Sequence, residues 1–148
     1  MSASNYNILG LVELANEESD DIRSQTINQA LNSAFSTRLN GWVRTKDEWS
    51  FLKEKRACVI LRDIGSRSEL ELAGAKLAKV FKEPHYHQGK AMPLVVTAGF
   101  TELSGSNTDM ALAMQQAGIA LNQAKLSANL FKVYSPEKAK SIREEGAL

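Results

Sequence analysis

The sequence has a single cysteine, Cys58, among its 148 residues. One thiol excludes an intrachain disulfide and a cysteine-built zinc site, and it fits a reducing compartment, so the cytoplasm is the expected setting. Long apolar runs are missing too, since none approaches the roughly 20 residues of a membrane-spanning helix. The opening residues, Met1 to Asn7, have neither the basic flank nor the apolar stretch of a secretion signal. Neither sign of charge is in excess. The 18 Lys and Arg set against 17 Asp and Glu give a net +1, which removes the broad electrostatic argument for nucleic-acid binding. Only three prolines are present, so few positions force a break in helix or strand. Nothing repeats at a fixed period and no segment is low in complexity. What is present is 43% hydrophobic residues, enough for a proper core in a chain of one-domain length.

The apolar pattern sets out the elements. Ile8 to Ala15 is short and nearly continuous, the mark of a strand buried on both faces. An acidic, polar stretch from Asn16 to Ser24 reads as a loop. From Gln25 to Val43 the residues Ile27, Ala30, Leu31, Ala34, Phe35, Leu39 and Trp42 recur at three and four, which predicts an amphipathic helix with Gly41 weakening its last turn. Two apolar runs, Trp49–Leu52 and Ala57–Leu61, flank Lys53-Glu54-Lys55-Arg56 and predict a hairpin with those four residues as its tip. Ser66 or Ser68 is placed to cap a helix with Leu70, Leu72, Ala73, Leu77 and Val80 on its apolar side. A second hairpin is expected between Phe81 and Phe100, turning at Gln88-Gly89-Lys90, with Leu94–Ala98 as its inner strand. Pro84 and Pro93 suit edge or strand-start positions. A polar loop from Ser104 to Asp109 leads to a third helix with Met110, Ala113, Met114, Ala117, Ala120, Leu121 and Ala124 on its apolar side, and Phe131–Tyr134 reads as a last strand ended by Pro136. The order β-α-ββ-α-ββ-α-β predicts an α+β fold, a central and mostly antiparallel sheet with a ferredoxin-like βαββαβ core and flanking helices.

Several of these stretches, taken in order, resemble the GGDEF domain of diguanylate cyclases. Leu112 to Lys125, ending Ala120-Leu121-Asn122-Gln123-Ala124-Lys125, is similar to the family's RADxALYxAK helix. Val95-Val96-Thr97-Ala98-Gly99-Phe100 is similar to its VTxSxGxA strand, Phe81-Lys82-Glu83-Pro84 with Gln88-Gly89 to its edge hairpin, and Phe131 to Glu137 to its closing strand. The resemblance covers nearly the whole chain. It implies one GGDEF-like domain over residues 1–135, and the charged residues 136–148 are expected to be a C-terminal tail or a connector to a further domain.

Under this alignment the Gly-Gly-Asp/Glu-Glu-Phe signature falls on Lys53, Glu54, Lys55, Arg56 and Ala57, and none of the five matches. In the family the glycines let the backbone turn close to the nucleotide, and the acidic pair helps hold Mg²⁺. Lys55 and Arg56 put two cations there, and repulsion of roughly 1–4 kcal/mol per pair at about 4 Å opposes metal entry. Catalytic residues are therefore expected to be absent, and Mg²⁺ and other cofactors with them. Glu13 retains an acidic side chain where the family has its other metal-binding Asp; the plainer expectation is a strand-end Glu meeting solvent or the Lys55/Arg56 tip. The segment from Asn16 to Ser24 is shorter than the family's guanine-recognising loop and lacks its F-K-x-x-N-D-x-x-G-H pattern. Lys125 matches a phosphate-contacting lysine, although Ala128 or Asn129 stands where an arginine is expected after it; the alternative is a lysine matched to the helix dipole and solvent.

The family's product-binding inhibitory motif, Arg-x-x-Asp, has an in-register counterpart in Arg44-Thr45-Lys46-Asp47. An arginine fork can grip phosphate or stack on guanine, and a carboxylate can accept from the guanine edge. Lys76 and Lys79 stand where a further basic residue reaches in. Binding of cyclic di-GMP by Arg44, Asp47, Lys76 and Lys79 is one expectation, and a plain cap on the helix-to-strand turn is the other. His85 and His87 share a strand face but lack a third ligand and read as ordinary hairpin histidines, and Cys58 reads as a packed small hydrophobe. Trp42 and Trp49 read as core anchors beside the Arg44–Asp47 turn, or as a stacking surface for a base. The function implied is a catalytically inactive regulatory or interaction module in cyclic di-GMP signalling, with cyclic di-GMP, neighbouring domains or a second copy as partners and no nucleic acid. Two alternatives stay open: a structural domain that dimerises or gates an adjoining phosphodiesterase, and an active cyclase with an unorthodox tip.

Overall fold

Successive residues of the strand Ile8–Leu14 point into two different hydrophobic cores, and that alternation organises the molecule. The computed structural model describes residues 6–15, 22–103 and 109–135. In chain order the elements are β1 (Tyr6–Ala15), α1 (Ile22–Trp42), β2 (Glu48–Lys53), β3 (Arg56–Ile64), α2 (Arg67–Val80), β4 (His85–His87), β5 (Lys90–Met92), β6 (Val95–Leu103), α3 (Met110–Leu126) and β7 (Phe131–Val133). Five strands form one sheet in the order β2-β3-β1-β6-β7, antiparallel except for the β6–β7 pair. This is the α+β arrangement expected, with β1 at the centre.

Ile8, Val12 and Leu14 of β1 join the larger core with Leu31, Phe35 and Leu39 of α1, Leu70 and Leu77 of α2, and Phe100 of β6. Leu9 and Leu11, one residue out of phase, join Ala113, Ala117 and Leu121 of α3 on the opposite face. The two-residue period of a strand makes this division automatic. A near-continuous apolar run is thus a two-faced strand, and each fully buried side chain in it contributes about 1.5–3 kcal/mol. Two glycines allow the layers to close. A Cβ on Gly10 would lie 2.6 Å from the Phe100 ring, and one on Gly99 would lie 2.2 Å from the backbone nitrogen of Leu121. α3 therefore sits directly on the backbone of β6.

The caps follow sequence chemistry. Ser66 accepts from the backbone nitrogen of Glu69 at the start of α2, and Asp109 does the same for Leu112 at the start of α3. Arg38 of α1 donates to the carbonyls of Val80 and Pro84, each at 3.1 Å, and to that of Glu83, and it lies over the Phe81 ring. One side chain thus fastens the connection from α2 to β4.

Several expectations are corrected. The β2–β3 tip is a two-residue turn, Glu54-Lys55, rather than four residues, because Lys53 and Arg56 pair with each other at the strand ends. Leu94–Ala98 is not the inner strand of a hairpin: Val95–Leu103 pairs with the central strand β1, and the small ribbon is β4 with β5 alone, turning at Gln88-Gly89 with positive φ at both. Pro84 and Pro93 lie just outside that ribbon. Leu72 and Met110, placed on apolar helix faces by periodicity, are exposed. α1 begins at Ile22, so the expected loop ends earlier than Ser24. The remainder of that loop, residues 104–108 and the tail 136–148 lie outside the described residues. Among the described residues no helix is long and apolar enough to cross a membrane.

Two substitutions test the close approach of α3. Gly99→Ala is expected to cost at least about 2 kcal/mol, because backbone rather than a flexible side chain stands in the way. Gly41→Ala, with nothing within 4 Å of its added carbon, is expected to stabilise by about 0.5 kcal/mol. Urea unfolding of both reads this, and equal midpoints would contradict the contact.

Candidate functional site

Two clefts gather the residues that the sequence singled out. The first lies at the end of β1. Strand parity puts Glu13 on the α3 face, the ladder sets Arg56 of β3 directly opposite it, and Thr97 of β6 opposes it on the other side. Lys125, in the last turn of α3, donates from Nζ to Glu13 Oε2 at 2.9 Å, and Arg56 Nε lies 4.0 Å from the same oxygen. Glu13 thus lies between two cations on two elements. Arg56 Nε is itself buried without a hydrogen-bond partner, so its stabilisation comes from this longer electrostatic contact.

Lys55 does not face this carboxylate as part of an exposed tip. It is buried at φ +65°, its backbone nitrogen donates to Asn32 Oδ1 and its Nζ to Asn28 Oδ1, both at 2.7 Å, and its carbonyl accepts from the Leu14 nitrogen at 2.8 Å. The turn is tied to α1 on one side and β1 on the other. Sequence reasoning missed Asn28 and Asn32, whose spacing of four does place both on one face of a helix. It also assigned Lys125 to dipole and solvent, where the parity of Glu13 points to an ion pair. The cleft here, about 310 Å³, is lined by the carboxylates Glu13 and Glu54 and by Lys53, Lys55, Arg56 and Lys125. Mg²⁺ takes several oxygen ligands in a near-octahedral shell. Among the described residues no group of three His, Cys, Asp or Glu is placed to hold a metal ion.

The second cleft, about 350 Å³, lies where α1 turns into β2 and is lined in part by Trp42, Arg44, Lys46, Asp47, Leu72 and Lys76. Lys79 is not among its lining residues. Asp47 accepts four hydrogen bonds: from Arg44 N at 2.8 Å, Arg44 Nε at 2.9 Å, Arg44 Nη2 at 2.9 Å and Arg62 N at 3.0 Å. A carboxylate has about four acceptor positions, so all of them are taken. Arg44 Nη2 also donates to the Arg62 carbonyl. The pair locks the turn onto β3, which is the capping alternative stated above, with Arg62 as a partner that the sequence did not announce. Burial pushes the Asp47 carboxyl up, but hydrogen bonds from the Arg44 side chain and from the Arg62 and Arg44 backbones outweigh it and hold the group below its ordinary value. The hydrogen bond to Asp47 holds the Arg44 guanidinium above its own.

The remaining candidates have packing and hydrogen-bond partners within the fold. Trp42 donates to the Ala73 carbonyl at 2.9 Å and Trp49 to Asn40 Oδ1 at 2.8 Å, and both pack against the larger core. Cys58 is half-buried, 3.9 Å from the Met114 sulfur, and burial raises its thiol. His85 and His87 are half-buried on β4, paired with Met92 and Lys90 of β5.

No family model and no curated protein matches this chain. Solved structures do. The GGDEF domain of YfiN (TpbB) from Pseudomonas aeruginosa superposes with a TM-score of 0.79 at 15% identity, over 88% of this chain and 83% of that one. A sensory box/GGDEF family protein from Caulobacter crescentus gives 0.72 at 21% identity, over 83% and 80%. The GGDEF domain of DgcB from the same organism, solved in complex with c-di-GMP, gives 0.67 at 13% identity, over 90% and 79%. The chain has the fold of these GGDEF domains.

The Asp47 lock sets a pH dependence. A carboxylate with a lowered folded pKa contributes stability that is complete above its unfolded value, about 3.9, and is lost as pH falls through the folded one. Stability is expected to drop below about pH 4, and Asp47→Asn to flatten that drop. Asp47→Ala is expected to cost about 2–4 kcal/mol at pH 7, since its side chain is only 1% exposed and leaves Arg62 N and the Arg44 fork unpaired. Thermal melts across pH 3–7 check both, and a wild-type curve parallel to that of Asp47→Asn contradicts the assignment.

Proposed function

We propose that this chain is a GGDEF-type domain without cyclase activity, working as a regulatory or interaction module in cyclic di-GMP signalling. One observation carries the reading: Glu13, the acidic side chain on β1 opposite the tip, already lies between Lys125 and Arg56. A metal ion seated there would have to displace Lys125 and sit beside Arg56, with Lys53 and Lys55 on the same rim. Joining two nucleoside triphosphates needs charge neutralisation at the phosphates and a positioned hydroxyl. The cleft's cations can meet phosphate oxygens, but Glu13 is committed to protein partners. On this reading the domain needs no Mg²⁺.

Cyclic di-GMP at the Arg44 cleft is the ligand we assign to the module. The Arg44 side chain stays 43% exposed while holding Asp47, and Lys76 lines the same cleft, so both can meet a phosphate. Asp47, Arg62 and Lys79 take no part: the first two are bound into the turn, and the third lies away from the lining.

Incubation with GTP and Mg²⁺ or Mn²⁺ is expected to give no cyclic di-GMP by chromatography; product that disappears in Glu13→Ala would overturn the inactive reading. Calorimetry with cyclic di-GMP is expected to show binding that Lys76→Ala weakens about fivefold, the scale of one partly exposed charge contact. Lys76 is the cleaner variant because Arg44→Ala also opens the turn. No heat at about 1 mM ligand, or equal affinity in the variant, removes the ligand assignment and leaves the inactivity to stand on the GTP assay.

A further inference from the structure

The Arg44 cleft offers cations to a phosphate, but its motif carboxylate is taken, since all the acceptor positions of Asp47 are filled within the turn. Two other carboxylates line the same cleft, Asp63 and Glu69. Glu69 Oε2 accepts from the Gly65 nitrogen at 2.6 Å, at the start of α2. Asp63 is differently placed. Among the described residues its carboxylate accepts no hydrogen bond, its side chain is 60% exposed, and Lys46 comes only within 3.8 Å of it. Two exposed groups at that distance hold each other weakly.

A β-bulge puts Asp63 in the cleft. The β1–β3 ladder pairs Tyr6 with Ile64 and Ile8 with Leu61, so Arg62 and Asp63 together oppose the single residue Asn7. An extra residue of this kind re-aims a side chain out of the strand's regular alternation. Asp63 takes φ +54°, in the left-handed region that Asp and Asn enter more readily than other side chains. Three contacts hold the bulge. Asn7 Oδ1 accepts from the Asp63 nitrogen at 3.2 Å, Asp47 Oδ1 accepts from the Arg62 nitrogen at 3.0 Å, and Arg44 Nη2 donates to the Arg62 carbonyl. The Arg44–Asp47 lock thus fixes the peptide that carries a second carboxylate into the cleft.

We infer that Asp63 is the base-reading residue here, accepting from N1–H and the exocyclic N2–H₂ of a guanine whose phosphates meet Arg44 and Lys76. The assignment rests on the cyclic di-GMP reading above and adds the group that selects the base. Guanine presents two adjacent donors on that edge, and an ionised carboxylate presents two acceptor oxygens, so the pair is bidentate and charge-assisted. Adenine presents an acceptor at N1 beside its amino donor, which sets a lone pair against the carboxylate and counts against the wrong base. Trp42 and the exposed Leu72 line the same cleft and give the base an apolar surface.

Calorimetry with cyclic di-GMP and with cyclic di-AMP, on wild type and on Asp63→Asn, tests this. Asparagine keeps the shape and tolerates the positive φ, and an unchanged melting curve checks that the variant is folded. Wild type is expected to prefer the guanine ligand at least about tenfold. Asp63→Asn is expected to weaken cyclic di-GMP about tenfold, the scale of a lost hydrogen bond to a charged group, and to change cyclic di-AMP less than about twofold. Lys76→Ala is expected to weaken both ligands by the same factor, because a phosphate contact carries no base identity. Equal wild-type affinity for the two ligands, or an Asp63→Asn effect that is absent or equal on both, overturns the Asp63 assignment alone. No heat from wild type with either ligand overturns it together with the ligand assignment.

Discussion

Burial of β1 on both faces is the constraint from which the remaining geometry follows. A strand with an apolar side chain at every core position must be covered twice, and this chain supplies α1 and α2 for one face and α3 for the other. Once those layers are fixed, residue parity has no freedom left. Glu13 falls on the α3 side because Leu9 and Leu11 do, and the last turn of α3 then delivers Lys125 to it. The ion pair at the tip is thus a consequence of packing several residues away. A one-residue slip would exchange the two cores and put Glu13 among the leucines and phenylalanines under α1.

The sequence disclosed most of this and failed where its signals were local or ambiguous. Helix period and strand length identified α1, α2, α3, the central strand and the β2–β3 hairpin, because each is long enough for burial to leave a pattern. Leu94–Ala98 was misassigned because a strand reveals its inward face but not its partner: it lies next in sequence to a short ribbon and pairs instead with β1. Leu72 and Met110 fit a helical stripe but lie at its margins, where exposure costs little. Within the site, Glu13, Arg44 and Asp47 were legible as charged residues at informative spacings. The pairings of Lys125 with Glu13, of Arg62 with Asp47, and of Asn28 and Asn32 with Lys55 were not, because each joins distant elements that only the folded register brings near.

The two clefts differ in how their charges are arranged. At the end of β1, four cations face two carboxylates, and the side chain best able to ligate a metal is held by its neighbours. At the α1–β2 turn, Arg44, Lys46 and Lys76 stand with Asp47, Asp63 and Glu69, an even count whose strongest pair is internal to the turn. In the first, cations outnumber carboxylates at the rim. In the second, the Asp47 carboxylate is part of the scaffold.

The grip of Arg38 has a mechanical consequence. A single guanidinium gathers three carbonyls, those of Val80, Glu83 and Pro84, at the exit of α2, so the β4–β5 ribbon, which forms no ladder with the large sheet, is moored to α1. A load applied to the ribbon would divide between that tether and the two-residue link, Pro93-Leu94, that joins β5 to β6, so α1 and the central strand pair would share the strain.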